Sequence, residues 1–235
     1  FDLVRYIYLP YRKETHMKRI LLMVIRSLFN LPFWLIRIFQ LCNTEKYDAR
    51  TRYAFLRKII PTVIKRGRIK IHVTGLENLP KENGYVLFPN HQGLFDGLVF
   101  LHTHERPLVT VMKKEVKNIF LIKQVITLLQ AEIIDREDIK QSLQVINNMT
   151  RRVKNGENFL IFAEGTRSKN GNNLLEFKGG SFKSAINARC PIVPVALIDS
   201  FKAFDTGSLK KITVQIHYLK PLYYEVYKHM KSTEI

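Results

Sequence analysis

Two cysteines in 235 residues, Cys42 and Cys190, exclude a disulfide framework and any cysteine-based metal spacing, and they fit a reducing compartment. The common site motifs are missing as well. There is no GxGxxG for a dinucleotide, no GxxxxGKS/T for a nucleoside triphosphate, no HExxH for zinc and no GxSxG nucleophile elbow. GGSFKS at 179–184 lacks the elbow's second glycine. Acidic residues are scarce, 20 against 38 Lys and Arg, for a formal net charge of +18. Residues 1–70 hold 16 of those cations against 4 acids, so two thirds of the net charge lies in a basic arm. Such an arm suits a polyanionic partner, anionic lipid or nucleic acid. The chain does not open on Met, and HMK at 16–18 reads equally as a junction or an internal Met, so residues 1–16 carry no weight.

What is present falls into two parts, residues 1–67 and 68–235. Residues 18–42 read KRILLMVIRSLFNLPFWLIRIFQLC. At about 100° per residue, Arg19, Arg26, Asn30 and Arg37 share one narrow stripe, and almost everything else is apolar. Two central arginines make this a poor free-standing transmembrane span, and no small-residue cleavage pattern follows it. Pro32 removes an amide and predicts a kink. The pattern predicts a monotopic, interfacial membrane helix with Lys and Arg set against anionic headgroups; the competing reading is a helix buried against the domain. A second helix is predicted over 44–66, stopping at Gly67, to complete a hairpin. Basic residues interleaved with long aliphatic ones do not line a polar groove, which argues against a nucleic-acid partner.

Beyond residue 68 the pattern changes. RIKIHV, GYVLF, LVTVM, AEIID, FLIF, IVPVAL and KITVQIHY are runs rich in β-branched and aromatic residues, separated by helical stretches near 96–103, 115–130, 138–154 and 180–188. Asp135 and Asp138 are possible caps for the third of these, and Gly156 ends it. Alternation predicts an α/β fold, a mostly parallel central sheet flanked by helices, at 46% hydrophobic content long enough for its own core.

Two polar, glycine-bearing loops follow buried strands. NHQGLFDG at 90–97 puts Asp96 five residues after His91, within hydrogen-bond reach across a tight turn; its plainer reading is a turn in which Asn90 or Asp96 caps a helix. FAEGTRS at 162–168 offers Gly165 for close backbone approach and Arg167 as a planar fork for phosphate or carboxylate. Glu164 could position that arginine or hold a substrate hydroxyl, and the plainer reading is a surface ion pair. His102, His104 and Glu105 are conceivable metal ligands but read better as an exposed polar turn.

The ordered set of blocks resembles the glycerolipid acyltransferases. Asn90-His91 with Asp96 resembles their HxxxxD signature, and FAEGTRS their F-P-E-G-T-R-S block, with Ala163 in place of Pro. KKEVKNI and AEIIDR resemble the K-x-E-L…I-D-R block, FKGGSFKSA the F-K-x-G stretch, and PIVPVAL the V-P-V block. The resemblance covers about residues 68–200 and is nearest to the 1-acyl-sn-glycerol-3-phosphate acyltransferases.

The resemblance implies acyl transfer from a thioester to the sn-2 hydroxyl of lysophosphatidic acid. His91 would be the general base and Asp96 its partner, as in a serine triad whose serine is replaced by the acceptor hydroxyl. Arg167 with Lys113, Arg136 or Lys178 would hold the acceptor phosphate, beside Glu164, Gly165 and Thr166 of the same block. Backbone near Gly165 is the expected oxyanion donor. No metal and no cofactor are implied beyond the acyl thioester, carried on coenzyme A or acyl carrier protein. The implied partners are an anionic phospholipid membrane, a lysophospholipid acceptor and the thioester donor. Glycerol 3-phosphate or another lysophospholipid stays open as acceptor, and a non-catalytic anionic-lipid-binding protein as the alternative of another class.

Overall fold

The change of pattern near residue 68 is where the sheet begins. The computed structural model describes residues 18–235, so the expectation about residues 1–16 lies outside the described residues. Each of the seven strand-like runs forms a strand: β1 (Ile69–Thr74), β2 (Val86–Pro89), β3 (Leu108–Lys113), β4 (Glu132–Ile134), β5 (Asn158–Leu160), β6 (Ile192–Ile198) and β7 (Ile212–Tyr218). They make one sheet in the order β1-β7-β6-β2-β5-β3-β4. Only β6 and β7 pair antiparallel; the other neighbours are parallel. Thus β6, β2, β5, β3 and β4 all run the same way and deliver their carboxyl ends to one edge of the molecule, the usual place for chemistry in an α/β sheet.

Helices cover both faces: α1 (Lys18–Ser27), α2 (Leu31–Leu41), α3 (Ala49–Arg66), α4 (Asp96–Thr103), α5 (Ile122–Leu129), α6 (Ile139–Lys154), α7 (Lys183–Ala188) and the short α8 (Tyr224–Tyr227). The central strands are buried on both sides, which is why they read as continuous apolar runs. Leu87, Val193, Val195 and Leu197 face a core shared with α1 to α5, while Val86, Phe88 and Phe159 face a second core with Val145, Met149 and Val153 of α6. Asp138 caps α6 by accepting from the Gln141 amide at 3.0 Å. Asp135 is no cap: it takes the Lys114 ammonium at 2.6 Å and so ties the end of β3 to the end of β4.

The basic arm corrects two expectations. The run 18–42 is two helices at 94°, not one kinked helix, with Pro32 in the first turn of α2, where its missing amide costs nothing. With α3, capped by Asp48, this makes three helices instead of a hairpin. Of the predicted stripe, Arg19 turns wholly inward, whereas Arg26 and Asn30 are exposed and Arg37 is half-buried. Arg19 is fully buried and donates to the carbonyls of Gly67 (2.6 Å), Ser208 (2.5 Å) and Lys210 (2.9 Å). Arg26 donates to Arg66 O, and Arg66 in turn to Asn30 Oδ1. Gly67 packs directly under α1: a Cβ there would meet the flexible tip of Met23 and displace it. The opposite side of α1 and α2 is apolar and exposed, with Leu21, Ile25, Leu28, Phe29, Phe33, Ile36 and Phe39 uncovered.

Candidate active site

β2 and β5 are neighbours, with Leu87 opposite Leu160, so the loops that leave them emerge side by side. They are laced together. Glu164 Oε1 accepts from the His91 amide (3.0 Å), its Oε2 from the Leu175 amide (3.3 Å), and the Ser168 amide donates to His91 O (2.8 Å). Glu164 is buried and spends both oxygens on backbone, so it shapes the loops instead of pairing with Arg167 or offering itself to a hydroxyl. Asn90 is likewise no cap. Its amide donates to Leu197 O and accepts from Leu197 N, bridging β2 to β6.

Asp96 begins α4 but does not cap it; its carboxylate turns back into the loop and is wholly buried. Oδ2 accepts from His91 Nδ1 (2.8 Å) and from the Gln92 (2.7 Å) and Gly93 (3.1 Å) amides, and Oδ1 accepts from Ser200 Oγ (2.5 Å). A carboxylate that only accepts requires the proton on Nδ1, which leaves the Nε2 lone pair of His91 as its basic position. Among the described residues Nε2 has no hydrogen-bond partner. The imidazole stacks on Phe162 with ring centroids 3.8 Å apart, and it is about one-fifth exposed. It is therefore fixed in tautomer and orientation while one nitrogen stays open to solvent.

Cations stand at the next strand ends. Lys113 closes β3, Arg136 follows β4, and Arg167 and Lys178 flank the β5 loop. A Cβ on Gly165 would sit 3.7 Å from Arg136 Nη1 and 3.8 Å from Lys178 Cγ, so these side chains close on that glycine. Burial, then the Arg136 charge and more weakly that of Arg167, holds the Lys113 ammonium below the usual lysine range. Burial also lowers Arg136, and the Glu115 carboxylate works against the shift of both. Like charges gathered and partly desolvated in this way are stabilised by an anion. Gly165 itself has φ +71, a left-handed turn that favours glycine. Its amide donates to Phe162 O at 3.0 Å and is committed to the turn, which leaves the neighbouring backbone of the block for the expected oxyanion donor. Thr166 lies exposed beside it.

His104 corrects the expectation of an exposed polar turn. It is completely buried, with Nε2 2.7 Å from Tyr85 Oη and Nδ1 2.8 Å from Arg106 O. Among the described residues no group of His, Cys, Asp and Glu is placed to hold a metal ion. Three residues of the site had no role assigned from sequence: Ser200, Asn172 and Gln92. The one available signal for Ser200 was position, a polar residue two places beyond the carboxyl end of a buried strand.

A family model described as "Acyltransferase" matches residues 70–198, more than half of the chain. The 1-acyl-sn-glycerol-3-phosphate acyltransferase of Borreliella burgdorferi is 29% identical over 155 residues, which is 66% of this chain and 62% of that protein. The protein of the same name from Cocos nucifera is 30% identical over 175 residues, covering 68% of this chain and 56% of that one. The chain thus spans about three fifths of the length of these curated relatives. The crystal structure of the 1-acyl-sn-glycerophosphate (LPA) acyltransferase PlsC from Thermotoga maritima shares the fold, with a TM-score of 0.71 at 21% identity over 94% of this chain and 92% of that one. The HxxxxD and EGTR blocks lie inside the matched segment, on adjacent strands of the shared fold, and the chain belongs to the acyltransferase family.

Proposed function

We propose that the chain acylates the free sn-2 hydroxyl of lysophosphatidic acid from a fatty acyl thioester, giving phosphatidic acid. The observation that carries this reading is the His91–Asp96 pair, with Nε2 open, beside a cluster of cations that an anion would stabilise. An alcohol is a weak nucleophile near neutral pH. His91 Nε2 takes its proton as the oxygen attacks the thioester carbonyl, and Asp96 stabilises the imidazolium that forms. Collapse of the tetrahedral intermediate breaks the C–S bond, and the imidazolium returns the proton to the departing thiolate. No acyl-enzyme is needed and no cofactor beyond the thioester. Arg167, Lys113, Arg136 and Lys178 hold the phosphate and so deliver the hydroxyl to His91.

Acceptor and product are amphiphiles, and the apolar side of α1 and α2 is the surface suited to their membrane. Among the described residues no single helix is long and apolar enough to cross a bilayer; α1 and α2 qualify only together, across their 94° bend. A seat in one leaflet, with the apolar face down, fits that shape. Phe39 of α2 meets Phe120, on the segment leaving β3, with ring centroids 6.4 Å apart, so the exposed face is continuous with the segment that carries Lys113.

The test is turnover by the full chain with lysophosphatidic acid and either acyl-coenzyme A or acyl carrier protein as donor. His91→Ala is expected to lower kcat by at least about 10²- to 10⁴-fold, the usual value of a general base. Near-normal turnover by that variant removes His91 from the chemistry. Turnover that prefers glycerol 3-phosphate moves the acceptor assignment and leaves the mechanism standing.

A further inference from the structure

Asp96 is held from two sides, and only one belongs to the signature loop. Oδ2 receives donors from residues 91–93, whereas Oδ1 receives the hydroxyl of Ser200, more than a hundred residues away. Ser200 is fully buried in the first position of a 3-10 turn directly after β6, the strand beside β2. The residue that feeds this turn, Asp199, has φ +64, a left-handed conformation unusual for a side-chain-bearing residue and found where surrounding structure enforces it. What enforces it is visible. Asn172, on the loop that follows the EGTRS block, accepts the Asp199 amide (2.8 Å) and donates to its carboxylate (3.0 Å). The same Asn172 oxygen accepts from Gln92 Nε2 (2.8 Å), and Gln92 Oε1 accepts the Ser200 amide (2.8 Å). Residues after β2, β5 and β6 therefore close a ring of hydrogen bonds whose end point is the oxygen of Asp96 that does not touch His91.

We propose that Ser200 is a positioning residue for the acyl-transfer reaction, orienting the Asp96 carboxylate toward His91, with Asn172 and Gln92 holding Ser200 in place. This rests on the reading of His91 as general base. A carboxylate needs both oxygens satisfied to keep one orientation in a buried site. With the Ser200 hydroxyl gone, Oδ1 is a buried acceptor without a donor, and the carboxylate gains by rotating or shifting to recruit one. The His91 imidazole follows it. A group that orients a primary partner is typically worth about 10- to 100-fold in activity, and the loss falls on the chemical step because Ser200 lies behind the carboxylate, away from the open side of His91.

The experiment uses the full chain with lysophosphatidic acid and the better thioester donor, and reads kcat and both KM values. It also reads the downfield ¹H resonance of the His91 Nδ1 proton, assigned by its loss in His91→Ala. Ser200→Ala is expected to lower kcat about 10- to 100-fold with both KM values within about twofold, and to shift or broaden that resonance. Asn172→Ala, at an exposed position and hence a second variant should Ser200→Ala fail to fold, is expected to do the same more weakly, with a kcat loss of at least about threefold. Wild-type kcat in the folded Ser200→Ala protein overturns the proposal, as does a kcat loss with the resonance unmoved. Should Ser200→Ala not fold, wild-type kcat in Asn172→Ala overturns it. A wild-type chain inactive with both thioesters, or an active His91→Ala, overturns the underlying reading instead.

Discussion

Acidification should destabilise the chain through one buried imidazole. His104 has no exposed surface, and its ring nitrogens are spent on Tyr85 Oη and Arg106 O. The carbonyl only accepts, so Nδ1 carries the proton and Nε2 accepts from the tyrosine; a second proton must displace that bond inside the core. Burial pulls its pKa down to about 4, against the bond to Arg106 O, which favours the charged form. The unfolded chain titrates near the ordinary value of about 6.5. Between those values the unfolded state holds a proton that the folded state does not. The stability His104 contributes is therefore complete above about pH 6.5, declines as pH falls, and is gone below about pH 4. The whole span is worth about 3 kcal/mol, of which about 2 is lost by pH 5, a large share of a typical folding free energy. Urea unfolding at about pH 7.5 and pH 5, compared with His104→Gln, isolates this group from the other histidines. The variant should be less stable at the higher pH, having lost a buried partner, yet flatter between the two. Equal losses in both proteins would refute the assignment.

Three further outcomes are expected. Arg167→Lys keeps the charge but loses the planar fork, so the KM for lysophosphatidic acid should rise while the donor KM stays; a defect confined to the donor would remove Arg167 from the phosphate site. Arg19→Met withdraws donors from three carbonyls and should cost about 2–4 kcal/mol, read as a lowered thermal midpoint, with no change means those bonds contribute little. Phe29→Asp with Phe33→Asp should leave that midpoint alone, since both rings are exposed, and should abolish flotation with anionic vesicles; undiminished flotation would place the membrane contact elsewhere.

Period and turn chemistry carried most of the fold. The seven strand runs stand alone because strands covered on both faces are apolar throughout, and Gly156 at φ +86 ends its helical segment as expected. Strand order is a different matter. Nothing local says that β5 inserts between β2 and β3, or that β7 returns antiparallel to β6, so the meeting of the NHQGLFDG and EGTRS loops was visible only as a family pattern. His91 and Asp96 were legible because their bond spans one short loop. Ser200 and Asn172 were not, because each acts on a partner tens of residues away and neither residue type is rare. Glu164 was misread for a related reason: Arg167 lies three residues on in sequence, but the neighbours of Glu164 in space are the amides of His91 and Leu175.

The arm shows where periodicity stops being informative. A stripe of cations on an apolar helix has two solutions, cations toward water or headgroups, or cations toward the protein, and the hydrophobic period is identical in both. For Arg19 the carbonyls of Gly67, Ser208 and Lys210 decide for the second, because a guanidinium with three backbone acceptors can be buried without a carboxylate, while Arg26 and Asn30 of the same stripe stay exposed. The two helices bury Arg19 together with Met23, Trp34, Ile38 and Leu41, and leave a second apolar side in water, with Phe29 wholly exposed. In water that arrangement wastes the burial free energy of several large side chains, about 1.5–3 kcal/mol apiece. Deleting the arm is a poor way to probe it, because Leu41, Tyr53 and Leu56 belong to the same core as β1, β2 and α4. Under the proposed interfacial seat the conflict disappears. On that proposal the domain holds Arg19 and the leaflet takes the exposed apolar side chains of α1 and α2.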